Sequence, residues 1–134
     1  MAKILIYEPR ERFRDLLRYI LEGIHHEVLE ADGYAELPGL LAGHPPDLLI
    51  LGVHLEGEGA PLSSRDWSPA LPEVPVLLLF SGPLDRQKAF LSAWEGPQRP
   101  KSLPQPLDPY PLLALVKSMV TAPETWRQGG QHKV

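Results

Sequence analysis

Apolar residues in this chain follow two patterns. Ile4-Leu5-Ile6-Tyr7, "DLLIL" (47–51) and "VPVLLLF" (74–80) are short continuous runs bounded by turn-forming residues. Such runs predict strands buried on both faces of a sheet. Phe13, Leu16, Leu17, Ile20, Leu21 and Ile24 instead recur at helical spacing, with charges between them and Gly23 near the end. "HEVLEA" (26–31) alternates and predicts a less buried strand, and residues 34–43 predict a weaker helix that Pro38-Gly39 kinks or shortens.

The second half is more broken. "EGEGAPLSSRDWSPALPEV" (56–74) is rich in Gly, Pro and Ser and predicts a loop with a short helix near 62–71. Residues 83–96 predict a helix with Ala89, Phe90, Ala93 and Trp94 inward and Gly96 ending it. "KSLPQPLDPYPLLALVKSMV" (101–120) reads as a short strand, a proline-rich turn and a last helix with Leu112, Leu115, Val116 and Met119 on one face. From Thr121, with Gly129-Gly130, a flexible tail (121–134) is expected.

Strands alternating with helices require right-handed crossovers and hence a parallel sheet covered on both faces. The fold class is α/β. For five strands the economical solution is a flavodoxin-like doubly wound sheet of order 2-1-3-4-5. Chemistry in such sheets sits at the carboxyl ends of the strands, near the switch between strands 1 and 3. The positions there are Glu8, Pro9, Gly52, Val53, Phe80, Ser81 and the turn at Gln105-Pro106.

The 134 residues suffice for one core, over residues 1–120, without staples. There is no cysteine, which excludes disulfides, thiolate metal sites and a cysteine nucleophile. A formal charge of −4 gives no general attraction to nucleic acid or anionic lipid. Arg10, Arg12, Arg14 and Arg18 are interleaved with Glu11, Asp15 and Glu22 and read as a solvated helix face. No apolar run approaches the ~20 residues of a membrane span, and the opening strand leaves no room for an export signal, so a cytoplasmic protein is expected. The 16 prolines and the absence of asparagine fit a thermophile, and a GC-rich genome gives the same bias.

Three segments carry a resemblance. "KILIYEPRERFRDLLRYIL", "HPPDLLILGVHL" and "QPLDPYPLLALV" resemble the first strand and helix, the third strand, and the Lys-Pro turn with last helix of response-regulator receiver domains, the CheY-like phospho-acceptor modules of bacterial two-component signalling. The resemblance covers residues 3 to 120. It implies that two acidic residues after strand 1 and an Asp after strand 3 hold Mg²⁺, and that this Asp takes the phosphoryl group. It also implies a Thr or Ser after strand 4 and a Lys before a cis-proline that bind the phosphoryl oxygens, and a switch aromatic in strand 5.

This sequence departs from that set. The acidic pair falls on Glu8 and Pro9, the acceptor on Gly52, the lysine on Gln105 and the aromatic on Ser102. The hydroxyl position falls on Phe80 or, with a one-residue slip, Ser81. Loss of carboxylates together with the lysine keeps the pocket near neutral. The expectation is a pseudo-receiver: the scaffold without the phosphorylation site, with no catalysis, no metal and no cofactor. Pro106 is expected to be cis, as the family's Lys-Pro peptide is.

No other residue offers replacement chemistry. His54, two residues past Gly52, reads as an exposed loop histidine without a base or anion cradle. Glu56 and Glu58 read as solvated loop acids, and Ser63 and Ser64 lack an activating partner. His25 and His26 are adjacent, so on a strand they point apart. Glu8 reads as a strand-end residue, hydrogen-bonded to Gln105. The expected role is a signalling adaptor that binds a protein partner, or a second copy of itself, through the last helix and the neighbouring strand edge. Trp94, Ser102, Tyr110 and Trp126 are candidates for that surface, and Trp94 and Tyr110 read equally as packing residues. The alternative is a small-molecule regulator using the space over Gly52.

Overall fold

The structure, a computed structural model, describes residues 2–43, 45–56, 74–94, 99–104 and 108–132, the last from residue 121 as backbone only. Its elements are β1 (Lys3–Tyr7), α1 (Glu11–Glu22), β2 (Glu27–Glu30), a 3₁₀ turn (Tyr34–Glu36), α2 (Leu37–Gly43), β3 (Leu48–His54), β4 (Val76–Ser81), α3 (Leu84–Ser92), β5 (Lys101–Pro104) and α4 (Pro109–His132). The short helix expected near 62–71 lies outside the described residues.

The strands form one parallel sheet of order β2-β1-β3-β4-β5. This is the doubly wound, flavodoxin-like order expected from the sequence. The three continuous apolar runs supply the central strands. Leu48 to Leu51 and Leu77 to Leu79 are fully buried, because helices cover both faces. Each such leucine contributes about 1.5–3 kcal/mol relative to exposure.

Alternation along the strands divides the core in two. Leu5, Leu49, Leu51, Val53, Val76, Leu78 and Phe80 face α2, through Leu37 and Leu41, and α3, through Phe90 and Leu91. Ile4, Ile6, Leu48, Ile50, Leu77 and Leu79 face α1, through Leu17 and Leu21, and α4, through Leu112, Val116 and Met119. The same parity continues to the carboxyl ends. Glu8, Gly52, His54 and Ser81 therefore share the α1/α4 side of the sheet.

Several local expectations shift. Leu16 and Ile24 of the helical repeat are exposed, at 42% and 38%, because the buried stripe of α1 is the narrower Leu17–Leu21 line. In α3 the inward residues are Phe90 and Leu91, with Trp94 just beyond the helix, whereas Ala89 and Ala93 are exposed. β2 begins at Glu27, so His25 and His26 stand in the turn before it; His25 has a φ of 67° and the His26 ring turns back to accept the Ala2 N–H at 3.1 Å. The 3₁₀ turn absorbs the start of the weak helix, leaving Pro38 in the first turn of α2, where a missing N–H costs nothing. The last helix continues as one element past Val120 to His132, where a frayed tail was expected.

Candidate functional site

The carboxyl ends of β1, β3 and β4 converge on one hydrogen-bonded group. Glu8 follows β1 and is the only charged residue in the buried set among the described residues, at 1% exposure. Its Oε2 accepts the backbone N–H of Arg10 at 2.7 Å and meets His54 Nε2 at 2.8 Å. The other ring nitrogen, Nδ1, lies 2.7 Å from Ser81 Oγ. Ser81 in turn donates to Glu56 Oε1 at 2.6 Å, and Arg10 Nη2 closes the row with a 2.9 Å bond to the same oxygen. The chain of contacts runs Glu8–His54–Ser81–Glu56–Arg10, from a fully buried carboxylate to a solvated ion pair.

Local sequence explains each placement. Val53 and Leu55 are buried apolar positions, so the alternation of β3 carries His54 to the same side as Gly52. In register, Gly52 pairs with Leu79, Val53 with Phe80 and His54 with Ser81. Phe80 and Ser81, the two candidates for the hydroxyl position, face opposite sides of the sheet. Phe80 lies in the opposite core, edge-on to Phe90 at 5.6 Å, while Ser81 brings its hydroxyl into the network. Gly82 follows with φ 114°, and a Cβ there would fall 2.8 Å from the Glu56 nitrogen. The turn needs glycine both for its conformation and for this close approach. Arg86 Nη1 donates to the Leu55 carbonyl at 2.7 Å, fixing the exit of β3 against α3.

Gly52 has a steric role as well. A Cβ built on it would lie 2.7 Å from the Glu8 carboxyl carbon and closer still to Oε1. The Glu8 carboxylate fills the space that any side chain at residue 52 would enter. Glu8 Oε1 has no hydrogen-bond partner among the described residues.

Electrostatically the site is mixed rather than acidic. The Ser81 hydroxyl bond, assisted by a backbone N–H, Arg10 and His54 and opposed by desolvation, holds the Glu56 carboxyl below its ordinary range. Arg14 Nη1 donates to the Glu8 carbonyl at 3.3 Å. The arginine face of α1 is less solvated than expected: Arg14 and Arg18 are half-buried and pair with Glu30 of β2, at 3.6 and 3.1 Å. Among the described residues no three His, Asp or Glu side chains are arranged to hold a metal ion.

Placement of the other candidate residues varies. Pro9 is exposed and turns the chain from β1 toward α1. Gln105 and Pro106 lie outside the described residues, and with them the expected cis peptide and the Glu8–Gln105 hydrogen bond. Ser102 is exposed on the edge strand β5, and Tyr110, in the first turn of α4, is 83% exposed. Trp94 is half-buried and packs against Phe90, with ring centroids 6.4 Å apart. The side chain of Trp126 lies outside the described residues. Reading His54 as an exposed loop residue was wrong: it ends β3 with 15% side-chain exposure and both ring nitrogens engaged. Glu56, exposed as expected, is nevertheless bonded to both Ser81 and Arg10.

Comparison with solved structures places this topology. A signal receiver domain of an HD domain-containing protein from Pseudomonas fluorescens Pf-5 matches with a TM-score of 0.75 at 19% identity, over 94% of this chain and 91% of that one. The fold is that of a receiver domain. A CheY-like response regulator receiver domain from Methanospirillum hungatei JF-1 matches at 0.70 and 17% identity, over 93% and 98% of the two chains. NtrX from Brucella abortus, solved in complex with ATP, matches at 0.74 and 19% identity over 96% of this chain but 29% of its own, so the present receiver fold spans less than a third of NtrX. No protein-family model and no curated protein matches the sequence. Among the described residues no helix is long and apolar enough to cross a membrane.

Proposed function

We propose that this chain is a pseudo-receiver, a signalling module that acts by binding a protein partner and takes no phosphoryl group. One observation carries the reading: at Gly52, where the receiver resemblance puts the acceptor, the Glu8 carboxylate occupies the space a side chain would enter. Glycine offers no atom for phosphoryl transfer. Glu8, the remaining member of the acidic pair, is fully buried and turned to His54 instead of to solvent. The module is non-enzymatic and cytoplasmic in this reading, with regulation set by partner occupancy or abundance.

The partner surface is drawn from α4 and β5. Tyr110 is the most exposed large apolar residue described, and Ser102 and Lys101 stand on the open edge of the sheet. A heterologous signalling protein or a second copy would meet that face. The small-molecule alternative loses support, because its pocket over Gly52 is filled by Glu8.

Two measurements test the proposal. Incubation with Mg²⁺ and acetyl phosphate followed by intact mass spectrometry is expected to add no phosphoryl group; a stoichiometric acid-labile adduct overturns the pseudo-receiver. Capture from host lysate on the immobilised full chain, with identification by mass spectrometry, is expected to return one stoichiometric partner. Failure to recover any, with self-association also absent by light scattering, overturns the adaptor role.

A further inference from the structure

We propose that His54 is the built-in cation of this site: an imidazolium that bridges Glu8 to Ser81 and Glu56 and closes the strand-end space from inside. The inference goes beyond the adaptor reading and does not depend on any partner.

A count of protons carries it. Three contacts link the ring, the hydroxyl and the two carboxyl groups: Glu8 Oε2 to Nε2 at 2.8 Å, Nδ1 to Ser81 Oγ at 2.7 Å, and Ser81 Oγ to Glu56 Oε1 at 2.6 Å. Each needs one hydrogen. Ionised carboxylates only accept, and Ser81 supplies a single proton, so with Glu8 ionised the ring supplies two. A neutral imidazole supplies one and leaves a contact below 3 Å between two acceptors. Moving a proton to Glu8 does not repair the count well. A proton on Oε1 would meet no acceptor among the described residues, and a proton on Oε2 would leave the 2.7 Å Arg10 N–H bond on a hydroxyl oxygen, a weaker acceptor than a carboxylate.

Charge is compatible with the same placement. Glu8 and Glu56 contribute two negative charges and Arg10 one positive, at 2.9 Å from Glu56. An imidazolium at His54 balances the group, and a buried carboxylate is tolerated only with a paired, hydrogen-bonded cation. Arg14 faces the site as well, but its donated bond goes to the Glu8 carbonyl and not the carboxylate.

The consequence is an internal plug. His54 holds the Glu8 carboxylate over Gly52, and Ser81 carries the restraint outward to Glu56 and Arg10. Ends of β1, β3 and β4 that would otherwise surround an open pocket are tied together by five side chains of the chain itself.

Nitrogen-15 NMR of the histidine rings in the full wild-type chain at pH 7 tests the charge state directly. Both His54 nitrogens are expected at protonated-type shifts, and a neutral single-tautomer pattern overturns the proposal. Chemical rescue tests the bridge. His54→Ala is expected to lower the Tm by roughly 5–10 °C, and added imidazole to restore part of the loss, whereas 1-methylimidazole, which lacks one donor, restores none. Equal rescue by the two compounds would show that a single ring nitrogen suffices and would sink the bridging role. Should H54A fail to fold, the wild-type ring spectrum decides alone.

Discussion

Glu8 and Gly52 are sterically complementary: the carboxyl group of the one occupies the volume in which the other would carry its side chain. The carboxylate is a flexible end, but two hydrogen bonds hold it there, from the Arg10 N–H and His54. Gly52→Ala must therefore displace it and is expected to cost roughly 1–3 kcal/mol. Glu8→Ala is expected to cost a similar amount through the stranded His54 and Arg10 donors. The double variant is the informative one. With the carboxylate gone the new methyl group has room, so the two costs should fall short of additivity by about 1 kcal/mol. Urea denaturation of the four proteins measures this, and full additivity would show that the two residues do not compete for space.

The same relationship bears on restoring chemistry. Gly52→Asp places a carboxylate where the proposed pseudo-receiver reading puts the lost acceptor, but its Cβ enters the volume held by Glu8. No phosphoryl mass is expected on the G52D chain with Mg²⁺ and acetyl phosphate. A stoichiometric adduct would mean that Glu8 yields readily and that the site is closed only by the absence of an acceptor.

Ser81 and Glu56 give an acid-side prediction. The serine hydroxyl is the leading cause of the lowered Glu56 pKa. A carboxyl whose folded-state pKa lies below its unfolded value, about 4.3 for glutamate, contributes stability that is present above the unfolded value and lost as pH falls through the folded one. Ser81→Ala should move the Glu56 titration upward, read from its side-chain carboxyl carbon by NMR, and should weaken the acid dependence of stability. An unmoved Glu56 titration would assign the shift to Arg10 and the backbone instead.

Much of this architecture was legible because buried parallel strands are written as continuous apolar runs. Ile4–Tyr7, Leu48–Leu51 and Val74–Phe80 could hardly sit anywhere except in the middle of a covered sheet. Strand order followed from the crossover rule. Gly52 also stood out, since a strand end without a side chain is conspicuous. The loop reading of His54 fails because β3 continues past the apolar run 47–51 to His54 itself. The signal was present in "GVHL": Val53 and Leu55 are apolar and His54 is not, a period-two continuation that keeps the histidine on the face of Gly52. Glu56 could not have been placed from sequence, because its partners Ser81 and Arg10 are brought to it only by the β4 turn and the start of α1. The narrowness of the α1 stripe was likewise invisible: Leu16 and Ile24 fit the period, but nothing packs over them tightly enough to bury them.

His26 predicts a dependence near neutrality. Its ring accepts the Ala2 N–H, and burial, reinforced by the amino-terminal charge and opposed by Asp47, lowers its pKa from the ordinary 6.5. A histidine with a depressed folded-state pKa favours the neutral form. It contributes stability that is present above about 6.5 and lost as pH falls through the lower folded value. Lowering the pH from 7.5 toward 5.5 should therefore reduce the Tm of the wild type relative to that of His26→Gln, which offers an uncharged acceptor. An identical pH profile in the two proteins would remove His26 from the account.

Tyr110 and Trp94 separate packing from recognition. Trp94 leans on Phe90 and the α3-side core, so Trp94→Ala is expected to cost about 1–3 kcal/mol of stability. Tyr110 is 83% exposed, and the hydrogen bond recorded at this residue, from its backbone N–H to Asp108, does not involve the ring. Tyr110→Ala should leave stability within about 0.5 kcal/mol. A large aromatic with little to do in the fold is a natural anchor for a partner, since interface energy concentrates in a few such side chains. Affinity for the captured partner is therefore expected to fall by roughly tenfold or more in Y110A, equivalent to about 1.4 kcal/mol, with the Tm unchanged. Calorimetric titration of the two variants against wild type measures this. An unaltered affinity in Y110A would move the contact surface away from the start of α4 and the β5 edge.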